Sequence, residues 1–230
     1  MDDNHSVFEF EGRPAASPLV EAVWRTRSLG DGSFVSTAET HWEMVIARHQ
    51  GELVITMRGP ETQAKRAPFA KDTEYFGIVF KHGAFLPHLP VSKLVDENVN
   101  LPAAANGRFW LHSAAWELPT LETVDEFIAQ LVREDLLVFD PVVEAVLAKR
   151  PLDLSPRTIQ RRFLRATGIT QGTFEQIERA KQATTMLQQG IPIVEATFEA
   201  GYADQPHLTR SLKRFIGFTP AQIYQSDSAD

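Results

Sequence analysis

Residues 192–196 read PIVEA, and residues 141–145 read PVVEA. Laying one on the other at an offset of 51 puts Val143 on Val194, Glu144 on Glu195 and Ala145 on Ala196. After a short gap the likeness returns at an offset of 49, pairing Ser155 with Asp204, Ile159 with Leu208, Arg161 with Arg210, Phe163 with Leu212, Arg165 with Arg214, Gly168 with Gly217 and Thr170 with Thr219. A second block at a nearly constant offset, keeping residue class at caps, apolar positions and helix ends, marks a duplicated unit. The first copy has the longer turn, KRPLDL where the second has AGYA.

Each copy reads as helix, turn, helix. Asp140-Pro141 and Ile191-Pro192 open the first helices, since a first-turn proline surrenders an N–H that has no helical partner. Ser155 and Asp204 cap the second helices with a side-chain oxygen, and Gly168 and Gly217 end them as residues free to take positive φ. At 100° per residue, Ile159, Phe163 and Ala166 share one side of the first of these helices, opposite Arg157, Gln160 and Arg161. Leu208, Leu212 and Phe215 repeat the apolar side in the second copy, opposed by Pro206, Thr209, Arg210 and Lys213. Between the copies, the 19 residues from Thr170 to Gln188 read as a connecting helix. At 1.5 Å per residue it would span about 28 Å, close to the roughly 34 Å between successive major-groove faces of B-DNA.

Those exposed letters are of the kind that reads bases. Arginine bonds guanine bidentately, glutamine does so with adenine, and threonine meets a thymine methyl or a base edge. Arg162, Arg165, Lys213 and Arg214 flank the two faces and suit phosphates, which position a protein without specifying sequence.

The stretches SPRTIQRRFLRATGIT, ERAKQATTMLQQGIPIVEA and GYADQPHLTRSLKRFIGFTPAQI resemble the tandem helix-turn-helix domain of AraC/XylS transcription regulators over about residues 141–224, including the Gly217-x-x-Pro220 ending. The resemblance implies a sequence-specific regulator whose two recognition helices enter successive major grooves of double-stranded DNA. Carried over by position, base contacts fall on Arg157, Gln160 and Arg161, then on Gln205, Thr209 and Arg210. It also implies a cupin-like β domain that senses a small-molecule effector or mediates pairing into a homodimer, with RNA polymerase as a further partner. The sequence departs from the family pattern at the Pro151 turn, at Ala196-Thr197 in place of Ile-Ala, and at Leu164, which lies on the would-be DNA face.

Charge is segregated in the same way. The net charge of −7 divides into −9 over residues 1–149, +4 over 150–222 and −2 in the last eight. A polyanion is bound by positive surface that releases condensed counterions, so the basic third is the part suited to nucleic acid. With no cysteine in the chain, disulfides, thiolate metal sites and a cysteine nucleophile are excluded. No unbroken apolar run is long enough to cross a bilayer, and the acidic MDDNHSVFEF does not read as a signal sequence, which makes the cytoplasm the expected location.

Residues 1–118 read mainly as strands: AVWRTR, SFVST, EMVIAR, ELVITM, EYFGIVF and GRFWLHS, separated by turn-like GDG, HQGE and KHG. The fold class expected is α+β, an antiparallel β-roll or barrel followed by an all-α domain with two helix-turn-helix units. The divisions are 1–118 for the β sensor or assembly domain, 119–139 for a helical linker and 140–225 for the DNA-binding domain. Residues 1–18 and 225–230 read as loose ends, and KHGAFLPHLP, twice broken by proline, as a short turn covering the barrel. In the linker, Leu121, Val124, Phe127, Ile128 and Leu131 form a stripe that faces either its own β domain or a second subunit.

Chemistry in the β half is sparse. No HxH pair occurs, and His41, His49, His82, His88 and His112 are scattered, so neither a metal site nor a cofactor is expected. No G-x-S-x-G turn marks a nucleophile, and the chain is read as a non-enzyme. Trp24, Trp42, Phe76, Phe80, Phe85, Trp110 and Trp116 either fill a core or line a ligand pocket. Two rival readings stand beside the regulator: a protein-interaction module with vestigial DNA binding, and a cupin-like enzyme with accessory helices.

Overall fold

The computed structural model describes residues 7–226. Six strands form the main antiparallel sheet in the spatial order β1 (Phe8–Arg13), β2 (Val20–Ser28), β7 (Glu74–Phe80), β4 (Glu43–His49), β5 (Glu52–Arg58) and β9 (Asn98–Leu101). Side chains alternate across a pleated strand, and the register brings Val23, Ile78, Met44 and Met57 side by side on one face, each at most 2% exposed. On the opposite face Trp24 lies across Gly77, where a Cβ would stand 2.1 Å from the indole. Any other residue there would evict the ring. Trp42 and Phe80 stack at 3.8 Å, and Trp42, Phe80, Phe85 and Trp116 are core, whereas Trp110 is 46% exposed.

The expected β half is present, and all six strands read from the sequence occur. Smaller ribbons complete it: β3 (Gly32–Ser36) with β6 (Lys65–Phe69), β8 (Ala84–Phe85) with β13 (Val138–Phe139), and β10 (Ala103–Ala104), β11 (Arg108–Leu111) and β12 (Ala114–Glu117). Two expectations need correction. Within the supposed loose end, residues 8–13 form an edge strand on β2, with Glu11 reaching Arg25 at 2.5 Å; residues 1–6 and 227–230 lie outside the described residues. KHGAFLPHLP is not a cover over the barrel: Ala84, Phe85 and Leu86 are buried where the two halves meet.

The stripe in the linker faces its own β half. Helix α1 (Val124–Arg133) buries Val124, Phe127, Ile128 and Leu131, with the Phe127 ring edge-on to Phe109 at 6.2 Å and to Trp116 at 5.8 Å. Any homodimer must therefore use another surface.

The helical half follows the duplicated reading: α2 (Pro141–Leu147), α3 (Pro156–Thr167), α4 (Gln171–Gln188), α5 (Ile193–Glu199), α6 (Gln205–Phe215) and α7 (Pro220–Ser226). The caps are those the sequence supplies. Asp140 accepts from the N–H of Val142, Ser155 from Thr158 and Asp204 from His207, and Gly168 and Gly217 take φ of 77° and 89°. Among the described residues no helix is long and apolar enough to cross a membrane, and no group of three or more His, Asp or Glu could hold a metal ion.

Candidate nucleic-acid interface

Helices α3 and α6 are each half core and half surface. Phe163 and Ala166 are buried on α3, while Leu208, Leu212 and Phe215 are buried on α6. Arg157, Gln160 and Arg161 are exposed on the first helix, and Gln205 and Arg210 on the second. Thr209 is half-buried and its hydroxyl donates to the Gln205 carbonyl at 2.8 Å, which leaves its methyl and oxygen lone pairs for a base. The intervening α4 buries Phe174, Ile177, Ala180, Ala183 and Leu187 and, with 18 residues, extends about 27 Å.

The flanking cations divide. Lys213 and Arg214 are exposed at the last turn of α6, with the Arg214 guanidinium 4.9 Å over the Phe215 ring, and exposed Arg165 sits 5.0 Å over the Phe85 ring. Arg162, expected at a phosphate, is half-buried and its guanidinium is engaged by Asp140. Its Nε donates to both carboxylate oxygens of Asp140, at 2.9 and 3.1 Å, and its Nη2 to Oδ1 at 2.7 Å. Because Asp140 is also the cap of α2, this bond ties the two helices of the first unit together. Leu164 is 42% exposed on the outer side of α3.

Helices α3 and α6 both rest their C-terminal ends on the β half. A Cβ on Gly168 would meet the backbone carbon of Val91 at 2.9 Å. The carbonyls of Phe215 and Arg214, among the last four of α6 and so without helical partners, accept from the backbone N–H groups of Ala38 at 2.6 Å and Ala64 at 2.7 Å. The N-terminal halves of the two helices, which carry Arg157, Gln160 and Gln205, lie at the opposite ends from these anchors, and all three residues are exposed.

Helix α4 is held by a polar cluster that the sequence concealed, since its members are far apart in the chain. Lys181 Nζ and His41 Nδ1 both lie 2.9 Å from Oε1 of Glu39. Burial alone would raise the Glu39 carboxyl, but the hydrogen bonds from His41 and Lys181 and their charge outweigh it and hold the group well below the usual carboxylate range. The His41 and His82 rings stack at 3.7 Å, and His82 meets Phe174 of α4 edge-on at 4.8 Å. Burial, followed by repulsion from His41, drives His82 down to about 3. Thr40 Oγ1 donates to Glu178 at 3.1 Å, so the neutral His82 ring carries its proton on Nε2 and donates to the same hydroxyl at 3.0 Å. The sequence reading also missed Arg179 on α4, whose Nη1 donates to the Gly201 carbonyl at 3.3 Å; its position in a connecting helix gave no signal.

Residues 148–226 match the family model described as a helix-turn-helix domain. The HTH-type transcriptional regulator VirS of Mycobacterium tuberculosis, in strains CDC 1551 / Oshkosh and ATCC 25618 / H37Rv, is 35% identical over 106 residues. The match takes in 46% of this chain, which spans only 30% of the length of those curated relatives. Among solved structures, ToxT from Vibrio cholerae O395 aligns with 98% of this chain and 100% of its own at 8% identity and a TM-score of 0.40. A P21 crystal form of Vibrio cholerae ToxT aligns with 94% and 98% at 11% identity and a TM-score of 0.36.

Proposed function

Because residues 148–226 form a helix-turn-helix domain of the AraC/XylS type, we propose that this chain is a sequence-specific DNA-binding regulator of transcription whose α3 and α6 enter successive major grooves. The observation that carries the reading is the pair of like-built helices, buried on one side and presenting Arg, Gln and Thr on the other, joined by one helix, buried along one face, of nearly a groove's repeat. On this reading Arg157, Gln160 and Arg161, then Gln205, Thr209 and Arg210, meet base edges. Arg165, Lys213 and Arg214 meet phosphates, and Arg162 braces the first unit. Residues 140–225 form the DNA-binding part, 119–139 the linker and 1–118 the sensing or assembly part.

Effector response is supported by a cleft of about 720 Å³ on the main sheet beside residues 118–122. Ile46, Tyr75 and Phe76 give it an apolar strip, while Arg25, Arg27 and Arg48 bring positive charge and Glu9, Glu11, Glu74 and Glu122 negative. An apolar strip can seat the body of a small molecule and charged groups can orient it. Arg25 and Arg27 are already paired with Glu11 and Asp72, which leaves Arg48 to orient a ligand.

Selection of bound fragments from genomic DNA, followed by binding at two salt concentrations, tests the function. The expected result is a recovered site with two half-elements about one helical turn apart and an affinity that falls steeply with salt. Fragments recovered without a common element, or binding indifferent to salt, would favour the protein-interaction reading.

A further inference from the structure

A second, smaller cleft of about 180 Å³ lies between α4 and α6. Gln176 and Arg179 enter it from α4, and Arg210, Ser211 and Arg214 from α6, beside Tyr202. Three arginines thus line a space large enough for more than one water, and among the described residues none of the three has a carboxylate partner. Arg179 is aimed by its bond to the Gly201 carbonyl at 3.3 Å and by the Tyr202 ring 5.4 Å away. The Tyr202 hydroxyl is in turn fixed to Ser211 Oγ at 2.8 Å.

The place of the cleft on the helix matters as much as its charge. Successive residues turn by 100°, so Arg210 lies near the middle of the exposed side of α6, Arg214 to one flank, and Ser211 further round toward α4. An anion in the cleft therefore sits beside the helix at the edge of its exposed face. When a helix lies in the major groove, that is where a sugar–phosphate strand runs.

The first unit is built differently at the equivalent place. At the offset of 49, Ser211 corresponds to Arg162, whose guanidinium is neutralised by Asp140 at 2.7 Å. The small serine in the second unit leaves the flank open, and no acid enters.

We propose that this cleft seats one backbone phosphate of the duplex, with Arg179 and Gln176 of the connecting helix closing on it opposite Arg214. The inference rests on the DNA-binding reading and extends the contact surface beyond both recognition helices. It makes the second unit the anchored one: α4, which sets the spacing, itself grips the backbone there, while the first unit has no such third arm.

Binding of the full chain to a duplex of scrambled sequence, titrated over a series of salt concentrations, tests it. Arg179→Ala should weaken binding to all sequences alike and reduce the slope of log K against log salt by about 1, with base preference unchanged, and Arg179→Lys should restore the slope. Gln176→Glu places a negative charge at the rim on an exposed position and should weaken binding well beyond Gln182→Glu, the same charge change elsewhere on α4. A slope unaltered by Arg179→Ala, or equal losses for the two glutamine variants, would overturn the phosphate seat while a salt-dependent wild type still upheld DNA binding. A wild-type chain with no salt-dependent binding would take down both.

Discussion

Lys181 Nζ stands 2.9 Å from Oε1 of Glu39, which ties α4, the helix that connects α3 to α5 and α6, to the β half by an ion pair. The remaining partner of the lysine is Glu178 at 3.3 Å. Glu39→Gln keeps the shape and removes the charge. The pair is partly exposed, so the expected loss is about 1 kcal/mol, the upper end for such pairs. It should be read as a lower denaturant midpoint at unchanged m, and added salt should shrink the difference between variant and wild type.

Acid should loosen the same junction. His82 titrates near 3 in the folded chain against an ordinary 6.5, so between those values the unfolded chain binds a proton that the folded chain refuses. Stability is then undiminished above pH 6.5 and is lost as pH falls toward about 3, with a ceiling of about 1.4 kcal/mol per pH unit for one proton. The depressed Glu39 carboxyl acts in the same direction at lower pH: its contribution is complete above the ordinary carboxylate range and drains below it. His82→Gln keeps a donor for Thr40 without titrating. Denaturation at stepped pH should show a flatter curve for the variant above pH 4.5 or so, where carboxylates contribute little; an unchanged slope there would remove His82 as the cause.

Neighbouring arginines of α3 should behave differently. Arg161 is exposed, and Arg161→Ala should cost about 1–3 kcal/mol on the selected site and relax preference at one base pair, with thermal unfolding unaltered. Arg162→Ala leaves Asp140 without its partner, and Asp140 is buried. Its expected signature is a lower unfolding temperature, with the salt slope of DNA binding kept at temperatures where the variant stays folded. A salt slope lowered by about 1 in Arg162→Ala would return Arg162 to the phosphate set.

The helical half was legible because its signals are local. Asp140, Ser155 and Asp204 announce caps within four residues of the N–H groups they serve, and Gly168 and Gly217 mark the ends of the same helices. What stayed hidden depends on residues distant in sequence. Arg162 carries no mark that Asp140, 22 positions earlier, will hold it, and His41 meets His82 only because the sheet folds β7 beside β4. Phe8–Arg13 was missed because an edge strand needs apolar residues on one face only, and its acidic letters read as a tail. The stripe on α1 was legible as a stripe, but which surface covered it was a tertiary matter decided by Phe109 and Trp116.

Gly217 and Gly201 separate conformation from contact at the junction of the halves. Both take positive φ, 89° and 74°, but an added Cβ at Gly201 meets nothing within 4 Å, whereas at Gly217 it would stand 2.7 Å from Cγ1 of Val35 and 3.2 Å from Cβ of Ala64. Gly201→Ala should cost only the left-handed backbone penalty, about 1–2 kcal/mol. Gly217→Ala should cost that plus the displacement of the β3–β6 ribbon, about 1–3 kcal/mol more. Val35→Ala removes the nearer of the two contacts, so in the double variant the excess should shrink and the cost of Gly217→Ala should fall toward the Gly201→Ala level, the Ala64 contact remaining. Denaturant unfolding of the four variants closes the cycle. Strict additivity would mean that Val35 does not bear on the end of α6, and that the β half does not fix α6 through this contact.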